Sequence, residues 1–138
     1  MDTNHPQGPP IRAVLVDDVE EVRALVRIRL ELDGRVEVVG EAGDGMTAAA
    51  VVAETRPDVV VLDLDMPEMD GLRAIPVMRA ASPASRVLVL SAFPDPYTLV
   101  DVLARGADSY LDKGAALAEL VPTLVTLCDR VADSADCA

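Results

Sequence analysis

Four carboxylates, one hydroxyl and one lysine stand at the ends of apolar runs in this chain. The run AVLV ends in Asp17-Asp18, VVVL ends in Asp63, VLVL ends in Ser91, and SYL is followed by Asp112-Lys113. Carboxylates suit Mg²⁺, which takes oxygen ligands in a near-octahedral array and keeps several waters. Transfer of a phosphoryl group needs its equatorial oxygens neutralised by a metal and cations, with a hydrogen-bond donor at hand. Asp63 follows four apolar residues directly, so a buried strand would anchor it. It reads either as a metal ligand or as a nucleophile, because carboxylates form acyl phosphates. Asp65, two residues on, can offer its backbone carbonyl to a cation. Each residue also has a plainer reading: Asp17-Asp18 as helix caps, Ser91 as a turn cap, Lys113 as a solvated cation. Their shared placement at run ends favours one pocket that handles phosphate.

The elements that must position these groups follow from periodicity. We read five strand–helix units, with strands at Ala13–Val16, Val36–Val39, Val59–Leu62, Arg86–Leu90 and Ser109–Leu111. The helices run over about Val19–Leu32, the Ala/Val run to Thr55, Leu72–Ala81, Tyr97–Arg105 and Leu117–Val131. Val22, Leu25, Val26 and Leu30 share one face of the first helix, which stops at Asp33-Gly34. Strand 3 does not alternate, as expected of a strand buried on both faces. Short apolar runs alternating with helices imply a parallel sheet covered on both sides. In such sheets the carboxyl ends of the strands form the ligand crevice. Pro76 and Pro122 fall inside expected helices, where proline removes a donor and crowds the preceding turn. Either those helices start a turn later or they kink.

Composition narrows the function classes. A chain of 138 residues is one domain. Residues 1–10, MDTNHPQGPP, read as a disordered lead-in, 11–131 as the folded domain, and 132–138 as a frayed tail. Lys and Arg number 12 against 24 Asp and Glu, a net charge of −12. That surface repels nucleic-acid phosphates, so direct DNA or RNA binding by this domain is not expected. No apolar stretch is long enough to cross a bilayer. Cys128 and Cys137 read as reduced thiols. His5 is the only histidine, which excludes a multi-histidine zinc site.

The ordered set VLVDD, PDVVVLDLDMPEMDG, VLVLSA and GADSYLDK resembles the receiver domain of bacterial two-component response regulators, over about Arg12–Cys128. The GADSYLDK segment is most similar to receivers joined to helix-turn-helix transcriptional regulators. The resemblance implies a flavodoxin-like doubly wound α/β fold, (βα)5, with strand order 2-1-3-4-5. It implies that Asp63 is the phosphoacceptor, Asp18 a direct ligand of Mg²⁺ (or Mn²⁺), and Asp17 a helper through water. The backbone carbonyl of Asp65 completes that metal site. Ser91 is then the switch hydroxyl, Lys113 contacts the phosphoryl group, and Tyr110 is the aromatic that swings inward.

The implied protein is a cytoplasmic phosphoacceptor switch, not an enzyme beyond its own Mg²⁺-dependent phosphorylation and dephosphorylation. Its implied partners are a sensor histidine kinase and a downstream protein or fused output domain, with a homodimer through helix 4, strand 5 and helix 5. Gly114 departs from the family, which often has proline there; Pro94-Asp95-Pro96 stiffens the entrance to helix 4, and Pro122 lies on the usual dimer face. Two other readings stand beside this one. Asp63-Leu64-Asp65 resembles the nucleophile motif of haloacid-dehalogenase-type phosphotransferases, although there the acidic pair usually comes last. A pseudo-receiver would keep the fold as an interaction module without phosphorylation.

Overall fold

The computed structural model describes residues 9–65, 71–92 and 95–137. Most of the expected lead-in and residues 66–70 lie outside them. The order is β1 (Ile11–Val16), α1 (Glu20–Asp33), β2 (Val36–Ala42), α2 (Gly45–Thr55), β3 (Val59–Asp63), α3 (Gly71–Ala81), β4 (Arg86–Ser91), α4 (Pro96–Ala104), β5 (Ser109–Asp112) and α5 (Lys113–Cys137).

All strand pairs are parallel, and the sheet order is β2-β1-β3-β4-β5. Every residue of β3 is buried, and the two-residue period of a strand explains how. Val60 and Leu62 pack on one face with Val14, Val16, Val87 and Val89 of neighbouring strands, against Val52 of α2, Ile75 and Met78 of α3, and Val102 of α4. Val59 and Val61 face the other way with Ala13, Leu15, Leu88 and Leu90, against Leu30 of α1 and Leu120, Leu124 and Leu127 of α5. With 2% aromatics, the two core layers rest on short aliphatic side chains that fill the space on each side of the sheet. This is the flavodoxin-like doubly wound fold expected from the resemblance.

Two glycines carry specific loads. Gly34 ends α1 at φ 89°, a left-handed position that glycine takes without steric penalty. Gly40 lies in β2, where a Cβ would stand 2.6 Å from Val51 Cγ1, so its bareness lets α2 approach the sheet. β2 runs three residues past the expected end at Val39, through Ala42, with a register shift opposite Ala13/Val14.

Both prolines sit within their helices, Pro76 in α3 and Pro122 in α5, so neither helix starts late enough to give its proline a first-turn place. Pro96 does take the tolerated first turn, behind the Asp95 cap that accepts from Thr98 N at 2.9 Å. α5 begins at Lys113, ahead of the expected Leu117, and its helical backbone runs through Cys137.

Candidate functional site

The carboxyl ends of β1, β3, β4 and β5 lie side by side because those strands are consecutive in the sheet, and each apolar run delivers its polar terminal residue to the same edge. Asp17 continues the pairing with β2 through its N–H to Ala42 O at 3.0 Å. Its side chain, 7% exposed, accepts from Val19 N at 2.8 Å. Burial pushes the Asp17 carboxyl above the ordinary carboxylate range; the Val19 N–H opposes this, and the neighbouring charge of Asp63 adds to it. Asp18 is exposed.

Asp63 closes β3 at 3% exposure. Its Oδ1 stands 2.9 Å from Lys113 Nζ and accepts from Asp65 N at 3.0 Å. Carboxylate oxygens of Asp17, Asp18 and Asp63 lie within 4.8 Å of one another. Three converging carboxylates with a single nearby ammonium leave an excess of negative charge. An all-oxygen donor set of this kind fits a hard divalent cation.

Lys113 is the first residue of α5. Burial by itself would lower its pKa, but the hydrogen bond to Asp63 and the charges of Asp63, Asp17 and Asp65 outweigh that and hold it above the ordinary lysine range. The Asp65 side chain lies 3.8 Å from Lys113 Nζ and accepts from Ala92 N at 3.0 Å, so it ties the ends of β3 and β4 together. Ser91 ends β4, buried, in register with Asp112.

The fourth run-end carboxylate does not join the cluster. Asp112 Oδ1 accepts from Gly114 N at 2.8 Å, so it holds the start of α5 and thereby the backbone that launches Lys113. Tyr110, in β5, packs against the α2–α3–α4 core layer and lines a cavity with Asp95, Pro96 and Leu99. Its hydroxyl oxygen is buried and has no hydrogen-bond partner among the described residues.

Sequence reasoning missed two residues beside this site. Arg23, in the first turn of α1, donates to Asp17 O at 2.6 Å and to Glu41 Oε1 at 2.8 Å. Glu41 lies in the part of β2 beyond the expected strand end at Val39. The arginine one turn beyond Asp18 was the available signal, but its partner is visible only once β2 pairs with β1.

Residues 13–125 match the response regulator receiver domain family. The chain is 38% identical over 113 residues to the uncharacterized transcriptional regulatory protein YhcZ of Bacillus subtilis, covering 82% of this chain and 53% of that protein. It is 35% identical over 103 residues to the chemotaxis protein CheY of Listeria monocytogenes, covering 75% of this chain and 86% of that one. A two-component response regulator of the LuxR family from Aurantimonas sp. SI85-9A1 superposes with a TM-score of 0.82 at 32% identity, covering 87% of this chain and 86% of that one. The chain spans about half the length of several transcriptional regulators it matches.

Proposed function

The chain belongs to the response regulator receiver domain family and functions as a receiver domain of a two-component system; on that premise we propose that Asp63 is its phosphoacceptor. The observation that carries this reading is the buried Asp63 carboxylate held 2.9 Å from Lys113 Nζ, with two further carboxylates converging on it. An oxygen of Asp63 attacks the phosphorus of a phosphohistidine on a sensor histidine kinase. The new O–P bond forms as the N–P bond breaks, and the imidazole nitrogen keeps the bonding pair.

Asp17, Asp18 and Asp63, with the backbone carbonyl of Asp65, would hold Mg²⁺ or Mn²⁺. When bound, that cation supplies positive charge against the phosphoryl oxygens. Lys113 then exchanges its contact with the Asp63 carboxylate for one with the phosphoryl group, and Ser91 donates its hydroxyl from the end of the adjacent strand.

Phosphorylation adds roughly −1.5 to −2 charge at this spot. The response passes to α4, β5 and α5 as a shift between two arrangements, with Tyr110 moving between them. Exposed Tyr97, Val100 and Leu103 on α4 give that face an apolar surface for a downstream protein, a fused output domain, or a second copy. Among the described residues no helix is long and apolar enough to cross a membrane.

The test is treatment with acetyl phosphate or beryllofluoride, with and without Mg²⁺. The expected result is a Mg²⁺-dependent gain of one phosphoryl mass with acetyl phosphate, absent in Asp63→Asn, and a change in the environment of Tyr110 with either reagent. A mass gain that survives in Asp63→Asn would overturn the assignment.

A further inference from the structure

We infer that Arg23 is a positioning residue for the acidic cluster: it clamps the Asp17–Asp18 peptide against β2 and thereby sets the cluster's affinity for a divalent cation. The inference rests on the cation-binding reading above.

Asp17 is tied at three atoms. Its N–H donates to Ala42 O at 3.0 Å, its Oδ1 accepts from Val19 N at 2.8 Å, and its carbonyl accepts from Arg23 at 2.6 Å. None of these three ties uses the second carboxylate oxygen. The carbonyl tie is the one that controls Asp18, because the Asp17–Asp18 peptide plane sets the direction in which the exposed Asp18 side chain leaves the backbone. A peptide free to rotate would turn Asp18 away from Asp17 and Asp63.

The clamp has little freedom of its own. Arg23 Nε donates to Glu41 Oε1 at 2.8 Å, and Arg27, one turn further along α1, holds the other oxygen of Glu41. Glu41 in turn is fixed by strand pairing with Leu15. The Arg23 side chain is 17% exposed, so these charge-assisted bonds are partly shielded from water. Arg23, Asp17 and Asp63 also line one small cavity. A guanidinium can donate to a carbonyl and a carboxylate in fixed directions at once, whereas an ammonium has no such fork. The competing account is an ordinary ion pair that fastens α1 to β2 and leaves the cluster unaffected.

The experiment measures Mn²⁺ affinity by electron paramagnetic resonance on the full chain, alongside metal-free thermal unfolding and the amide resonances of Asp18 and Val19. The variants are Arg23→Ala, Arg23→Lys and Glu41→Gln, with Asp18→Asn as a reference. Loss of a partner that orients a metal ligand typically weakens binding about 10–100-fold, and this is the expected result for Arg23→Ala. Arg23→Lys should recover only part of that, and both variants should shift the Asp18 and Val19 amides before metal is added. If Arg23→Ala does not fold, Arg23→Lys and Glu41→Gln carry the test. Variants that melt earlier yet keep wild-type Mn²⁺ affinity, to within about twofold, overturn the inference, since a structural pair alone would do that. Wild-type protein that binds no Mn²⁺ overturns the cation reading itself and the inference with it.

Discussion

Lys113 and Asp63 meet across an intervening strand: the ammonium carried at the start of α5 stands 2.9 Å from a carboxylate that ends β3, and β4 lies between β3 and β5. The pair joins the buried acid to the element expected to respond to its modification. Lys113 is 30% exposed and Asp63 only 3%, so loss of the lysine strands the acid more than loss of the acid strands the lysine.

Lys113→Ala should therefore separate chemistry from transmission. Acetyl phosphate with Mg²⁺ is expected to give the phosphoryl mass gain in this variant, while the spectroscopic change at Tyr110 is lost. Metal-free stability should fall by about 1–3 kcal/mol, the usual cost of leaving a buried polar group without its partner. Denaturant unfolding measures the second effect and intact mass the first.

Asp17→Asn should behave in the opposite sense. Its carboxyl is pushed above the ordinary range chiefly by burial, with Asp63 adding to the shift, so holding the charge there costs folding stability. A neutral amide keeps an oxygen for the Val19 N–H and removes the charge. We expect a metal-free gain of about 0.5–2 kcal/mol, in keeping with the general trade between stability and function. Saturating Mg²⁺ should raise the melting temperature of the wild type but not of this variant. A thermal melt with and without Mg²⁺ decides it.

Gly40→Ala should destabilise by about 1–3 kcal/mol, as overpacking does, because the new Cβ would stand 2.6 Å from Val51 Cγ1. Val51→Ala in the same chain removes the obstructing atom. The double variant should recover most of the loss caused by Gly40→Ala, giving a coupling energy in a double-mutant cycle.

Acid should release the caps of α2 and α4. Asp44 and Asp95 have pKa values held below the ordinary aspartate value, first by the backbone N–H of Thr47 and Thr98 respectively, then by those residues' hydroxyls. A lowered folded-state pKa means the caps contribute fully above the unfolded value of about 4 and lose that contribution as pH falls through the folded value. The stability difference between wild type and Asp95→Ala should be constant from neutral pH down to about 5 and vanish in stronger acid. Unfolding curves across that range would reveal a difference that persists at the acid end, contrary to this account.

Local pattern determined the elements. The strands and helices were legible because a strand buried on both faces and a helix with one apolar stripe have distinct periods over a few residues, and the boundaries of α1, β3 and α3 fell within a residue or so of expectation. The chemical character of the run ends, Asp17-Asp18, Asp63, Ser91 and Lys113, was equally plain. The strand order came from the family resemblance, since periodicity says nothing about which strand lies beside which. Only the tertiary structure decided that Asp112 caps α5 rather than entering the acidic cluster, that Glu41 lies in a strand and meets Arg23, that Pro76 and Pro122 are carried inside helices, and that the Tyr110 hydroxyl is buried with no partner among the described residues. Each of these depends on packing between segments distant in sequence, where helix–sheet contact and strand register outweigh local preference.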